Sequence, residues 1–191
     1  MLGGNVKMKT KFINGFVLLD VDVAALNNQG KDDSGTTLEN STAVKKVYKN
    51  RKTYAYVSGQ AWRYWWRETL GLEFDWNLSP VKRDTKIAYT EANPLKYEDD
   101  DVFGYMRAEK KKSALTRISP LKNSVLIAVS PLANRKNEIS TMTRQQGDPV
   151  LYEKQVYSSV LKGMFSLDLD QIGTFCLQNR SGYLNLSDER K

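Results

Sequence analysis

Histidine is absent from these 191 residues, and cysteine occurs once, as Cys176. Without histidine there is no Ser-His or Cys-His nucleophile system, no imidazole general base and no imidazole metal ligand. A single cysteine closes no internal disulfide, which fits a reducing, cytoplasmic setting. Long apolar runs are missing too. Phe16-Val17-Leu18-Leu19 is followed at once by Asp20 and Asp22, too short for a secretory signal or a membrane span. No glycine-rich phosphate loop of Walker type is present.

Acidic residues are missing from one long stretch. Residues 45–67 carry seven basic side chains (Lys45, Lys46, Lys49, Arg51, Lys52, Arg63, Arg67) and no Asp or Glu. Seven aromatics are interleaved with them: Tyr48, Tyr54, Tyr56, Trp62, Tyr64, Trp65 and Trp66. The whole chain is only modestly basic, +7 from 29 basic and 22 acidic residues, so the clustering carries the signal. An acid-free stretch this long points to an anion, and phosphate is the expected one. Cations that track a backbone, with aromatic faces for bases, form the physical recipe for holding single-stranded nucleic acid.

Periodicity organises the rest. Phe12–Val23 alternates as a half-buried strand, with Val17, Leu19, Val21 and Val23 on one side. A polar loop over 30–42 follows, then a hairpin from Val44 to Val57 turning around Asn50. A helix is expected next, capped by Ser58 and closed by Gly71. Trp62, Trp65, Trp66 and Leu70 share its packing face, leaving Gln60, Arg63, Tyr64 and Arg67 on an open polar side. Residues 72–115 have weak periodicity and read as an insertion of short strands and loops, with the acidic run Glu98–Asp101 a solvated loop. Val125–Val129 is a continuous apolar strand, Glu138–Val160 a projecting hairpin, and Phe165–Leu169 a further core strand. This order implies an α+β domain with a split β-α-β sheet, ferredoxin-like and of RNA-recognition-motif type. The two aromatic sheet motifs of a standard RNA-recognition domain are absent, so RNA contacts are expected from loops and the helix instead of the sheet face.

The stretch Tyr54–Leu70, with its core Gly59-Gln60-Ala61-Trp62-Arg63-Tyr64-Trp65-Trp66-Arg67, resembles the DevR-type backbone subunit of type I CRISPR effector complexes (Cascade), of the RAMP superfamily. Ala88–Pro94, Asp99–Arg107 and the strand after Arg117-Ile118-Ser119-Pro120 share the resemblance. It implies an RNA-recognition-like palm with finger and thumb insertions. On this chain the palm would hold residues 1–71, 118–133 and 161–191, the fingers 72–117 and the thumb 134–160. It further implies a non-catalytic scaffold that stacks in several copies along a CRISPR RNA, beside other Cascade subunits, and meets target DNA through the guide. No cofactor, metal or membrane partner is implied. Members of that family run on past the point matching Lys191, with further strands and a helix. RNA-binding positions carried over are Lys49, Arg51 and Lys52, then Ser58, Gly59 and Gln60 at the helix start, where amides favour phosphate. Arg63 and Arg67 extend that site, and Thr141, Met142, Thr143 and Arg144 lie in the thumb hairpin.

Two alternatives stand beside it. Asp20/Asp22 and Asp168/Asp170 are strand carboxylate pairs that would hold magnesium if neighbouring, making a metal-dependent ribonuclease, with Asp32 and Asp33 as loop candidates. A DNA-binding regulator is the other.

Overall fold

The computed structural model describes residues 11–29, 41–84, 87–107, 114–132, 136–142 and 150–175. The fold is mixed α+β. In chain order the elements are β1 (Phe12–Ala24), β2 (Asn28–Gln29), β3 (Ser41–Val44), β4 (Lys46–Lys49), β5 (Lys52–Val57) and α1 (Gly59–Glu73). Then come β6 (Lys82–Asp84), β7 (Ile87–Tyr89), α2 (Glu98–Phe103), β8 (Tyr105–Arg107), β9 (Leu115–Arg117) and β10 (Leu121–Asn123). The last are β11 (Leu126–Ala128), β12 (Lys136–Met142) and β13 (Val150–Asp168). The chain divides into two compact units, Phe16–Trp62 with Ser124–Met164, and Met1–Gly15 with Arg63–Asn123 and Phe165–Lys191.

In the first of these units the strand order is β2-β3-β13-β11-β5-β4, and β1 and β12 also pair with β13. The apolar run at 125–129 is central as expected, with β11 antiparallel to both β5 and β13. Side-chain alternation sorts the sheet into two faces. Ala55, Val57, Leu126, Ala128 and Leu161 are buried on one of them. Trp62 packs there. A Cβ added to Gly163 would lie 2.5 Å from Leu126 Cδ2 and 2.9 Å from Trp62 Cζ3, so only glycine lets the indole come this close. The expected Phe165–Leu169 strand is not separate: it is the end of β13, which runs unbroken for 19 residues from the hairpin with β12.

The other unit is built on α1 from Arg63 onward, α2 and the short strand pairs β6–β7 and β8–β9, with β10 paired to the end of β13. Trp66 meets Phe165 edge-on at 5.7 Å, and Trp76 meets Phe103 at 6.3 Å. Gly71 does not close α1, which continues to Glu73. Leu78 fills the space that a side chain at Gly71 would need. The helix stops where Asp75 turns left-handed, at φ 54°, with the N–H groups of Phe74 and Trp76 both donating to Leu70 O.

The acidic run departs furthest from expectation. Glu98–Phe103 is a helix, not a solvated loop, and Asp99, Asp100 and Asp101 are buried in it. Each finds donors that the sequence order hides. Asp99 accepts from Arg67 and from Ser79 N–H. Asp100 accepts from Asn93 N–H, and Asp101 from Arg117 and Gly173 N–H. Gly104 ends the helix at φ 69°, where a side chain would collide with the Arg117 carbonyl oxygen.

Candidate nucleic-acid interface

The β4–β5 hairpin turns through Asn50 and Arg51, both at positive φ (50° and 59°), the requirement of a type I′ loop. Asn adopts that conformation readily. Arg51 does so at a cost of about 1–2 kcal/mol, because its Cβ crowds the following carbonyl. The last rung pairs Lys49 directly with Lys52. Like charges opposite each other weaken a hairpin. Lys49, Arg51 and Lys52 are all exposed, and none makes an ion pair among the described residues. The sequence places these three cations together correctly.

The sheet adds a cation that sequence order conceals. Register puts Tyr54, Tyr56, Ile127 and Lys162 on the face turned away from Trp62, because Ile127 pairs with both Tyr56 and Lys162. Lys49, Asn50, Tyr54, Ile127, Ala128, Val129 and Lys162 line an open cleft of about 190 Å³. Lys162 is exposed and likewise has no acidic partner among the described residues. It lies 113 positions from Lys49, and no local pattern links them. Only strand pairing does.

At the start of α1, Ser58 caps as expected: its hydroxyl accepts from Ala61 N–H at 3.3 Å and its carbonyl from Trp62 N–H at 3.1 Å. Its own N–H donates to Asn27 Oδ1 at 2.9 Å. The Ser58 amide, one of the three offered for a phosphate, is thus engaged inside the chain. Gly59 is half-buried, and Gln60 is exposed at the helix start.

Arg63 and Arg67 do not lie on an open face. Arg63 donates through Nη1 to Leu121 O at 3.0 Å and Asn123 Oδ1 at 3.2 Å. Through Nη2 it reaches Phe103 O and Ser119 Oγ, both at 2.6 Å, and its guanidinium lies 5.3 Å from the Phe103 ring centre. Burial lowers the Arg63 pKa from its ordinary value. Arg67 donates through Nε to Asp99 Oδ2 at 2.9 Å, a carboxylate only 2% exposed. Their mutual repulsion is relieved by this chain's own carbonyls and by Asp99, so no phosphate is needed between them.

Thr141 and Met142 end β12, opposite Leu151 and Val150, while Thr143 and Arg144 lie outside the described residues, as do Asp32 and Asp33. Of the four carboxylates of Asp20, Asp22, Asp168 and Asp170, three accept hydrogen bonds inside the chain. Asp168 accepts from Asp170 N–H and Gln171 Nε2, Asp170 from Lys11 N–H, and Asp22 from the Ser158 hydroxyl. Among the described residues, no group of three or more Cys, Asp or Glu is placed to hold a metal ion.

Comparison with known proteins agrees with the resemblance seen in the sequence. No curated protein matches the chain. A chain of a solved structure described as "CRISPR RNA-guided surveillance complex, pre-nicking" shares the fold, with a TM-score of 0.57 at 10% identity over 85% of this chain. This chain spans 66% of that one, a little under two thirds of its length. The family described as "CRISPR-associated negative auto-regulator DevR/Csa2" matches residues 17–191, and the chain belongs to that family.

Proposed function

We propose that this protein is a non-catalytic scaffold that binds CRISPR RNA within a Cascade complex, stacking in several copies along the guide so that the guide can meet target DNA. One observation carries the reading. Lys49 and Lys52 face each other across a hairpin rung, Arg51 sits strained between them, and no acid among the described residues neutralises any of the three. A sugar-phosphate backbone supplies the missing counter-charge. Family membership and a fold shared with a chain of an RNA-guided surveillance complex support the same reading. An RNA-recognition-like palm is supported by the strand arrangement. β13 pairs with β1 and with β11, and α1 lies between β1 and β11 in sequence, as in a split β-α-β sheet.

The test is to isolate the chain with its natural partners and sequence whatever nucleic acid copurifies. Guide-length RNA with repeat-derived ends is the expected result. Duplex DNA instead would favour a regulator that acts on its own gene. Labelled complementary RNA added with magnesium should stay intact; cleavage would overturn the non-catalytic part of the proposal.

A further inference from the structure

We infer that the open face of the β5–β11–β13 sheet is a nucleotide subsite, with one base of a single-stranded RNA on Tyr54 and a neighbouring phosphate beside Lys49 and Lys162. This rests on the RNA-binding reading above and places RNA on a face where the sequence predicted none.

Three observations converge on this face. The first is its composition. Strand register puts Tyr54, Tyr56, Ile127 and Lys162 together on the side away from the Trp62 packing face. Tyr54 and Tyr56 are half-exposed, as is Ile127, and Val129 is exposed beside them. Aromatic faces flanked by apolar side chains suit a base, which every nucleotide offers whatever its sequence.

The second is charge. Lys49 and Lys162 line the same cleft, and Lys52 pairs with Lys49 on the adjoining rung. An apolar protein surface docked here would strip water from three lysines and return nothing. A phosphate backbone neutralises them. The third is size. At about 190 Å³ the cleft is smaller than the roughly 300–1,000 Å³ of sites that enclose a whole small ligand. It fits one part of a polymer that continues beyond it.

The test uses the purified chain and a single-stranded RNA carrying photoreactive 4-thiouridine. Irradiation followed by peptide mapping should place crosslinks in the segment holding Tyr54 and Tyr56. Lys162→Glu should weaken RNA affinity about tenfold or more with an unchanged melting temperature, since the side chain is exposed. The slope of log affinity against log salt should fall by about 0.7 for each phosphate that the variant no longer neutralises. Tyr54→Ala should weaken binding about tenfold while Tyr54→Phe keeps it, because stacking needs the ring and not the hydroxyl. If the wild type binds RNA but crosslinks fall only elsewhere and these variants bind normally, the subsite is wrong and the broader reading survives. If the wild type binds no RNA at all, both fail. Polyglutamate that displaces the RNA label as well as unlabelled RNA would reduce the face to an unselective basic patch and overturn the subsite. Should Lys162→Glu lower the melting temperature, the crosslink map on the unaltered chain decides alone.

Discussion

Arg67 and Asp99 show how position alone changes what a charge is for. On the surface, such a pair is worth about 0–1 kcal/mol. Here Asp99 is 2% exposed, and removing its partner leaves a carboxylate uncompensated in the interior. Arg67→Ala should therefore destabilise the protein by about 3 kcal/mol, read as a fall in the denaturant midpoint at unchanged slope. Lys49→Ala, an exposed change, should stay within about 0.5 kcal/mol and act on RNA affinity instead. Tyr157 gives the opposite case. Its ring is buried, its hydroxyl has no hydrogen-bond partner among the described residues, and burial raises its pKa above the usual 10.0. The fold therefore favours the neutral phenol. That contribution is full below the unfolded value and is lost as pH rises past it through the raised folded pKa. Tyr157→Phe should stabilise by about 1 kcal/mol, since it removes an unsatisfied hydroxyl. It should also flatten the decline in melting temperature above about pH 10.

At the scale of elements, the β4–β5 hairpin trades stability for charge. Asn-Gly is the favoured pair for its loop, and Arg51 stands where glycine would relieve the strain. Arg51→Gly should raise stability by about 1 kcal/mol while lowering the salt dependence of RNA binding, so melting and binding move in opposite directions. A rise in both would show that Arg51 does not touch the RNA. Helix α1 is fastened in a different way. Trp62→Ala would open a cavity against Leu126 and Gly163, at a cost of about 3–5 kcal/mol in thermal unfolding. The β12–β13 hairpin is long and regular through its seven paired rungs. Replacing 141–148 by a short Gly/Ser turn should preserve folding and loosen the regular spacing along the RNA. Unchanged periodic footprints on the assembled complex would show that this hairpin does not set the spacing.

For the whole molecule, the proposed backbone-directed binding makes salt the diagnostic variable. Affinity for single-stranded RNA should be nearly independent of its sequence and fall with log salt by about 0.7 per phosphate contacted. Equal affinity for duplex DNA under the same conditions would count against the scaffold.

Much of this was legible in the chain itself. Local pattern determined β1 (apart from Val23, which turns left-handed and is exposed instead of joining Val17, Leu19 and Val21), the hairpin around Asn50, the Ser58 cap, the Trp62 face and the central β11, since each depends on residues close in sequence. The same locality made Lys49, Arg51 and Lys52 readable as one patch, and the Gly59–Arg67 stretch carried the family. Composition could not tell a solvated charge from a buried one. The run 98–101 looks like a loop until Arg67, Arg117 and the amides of Ser79, Asn93 and Gly173 are brought to it from elsewhere in the chain. Arg63 and Arg67 look free for the same reason. Lys162 shows the converse, an ordinary lysine until β11 sets it beside Lys49 and Tyr54. Tertiary structure alone decided which charges are spent inside the protein and which remain for a partner, because burial and pairing depend on distance in space, and one-dimensional pattern records only distance along the chain.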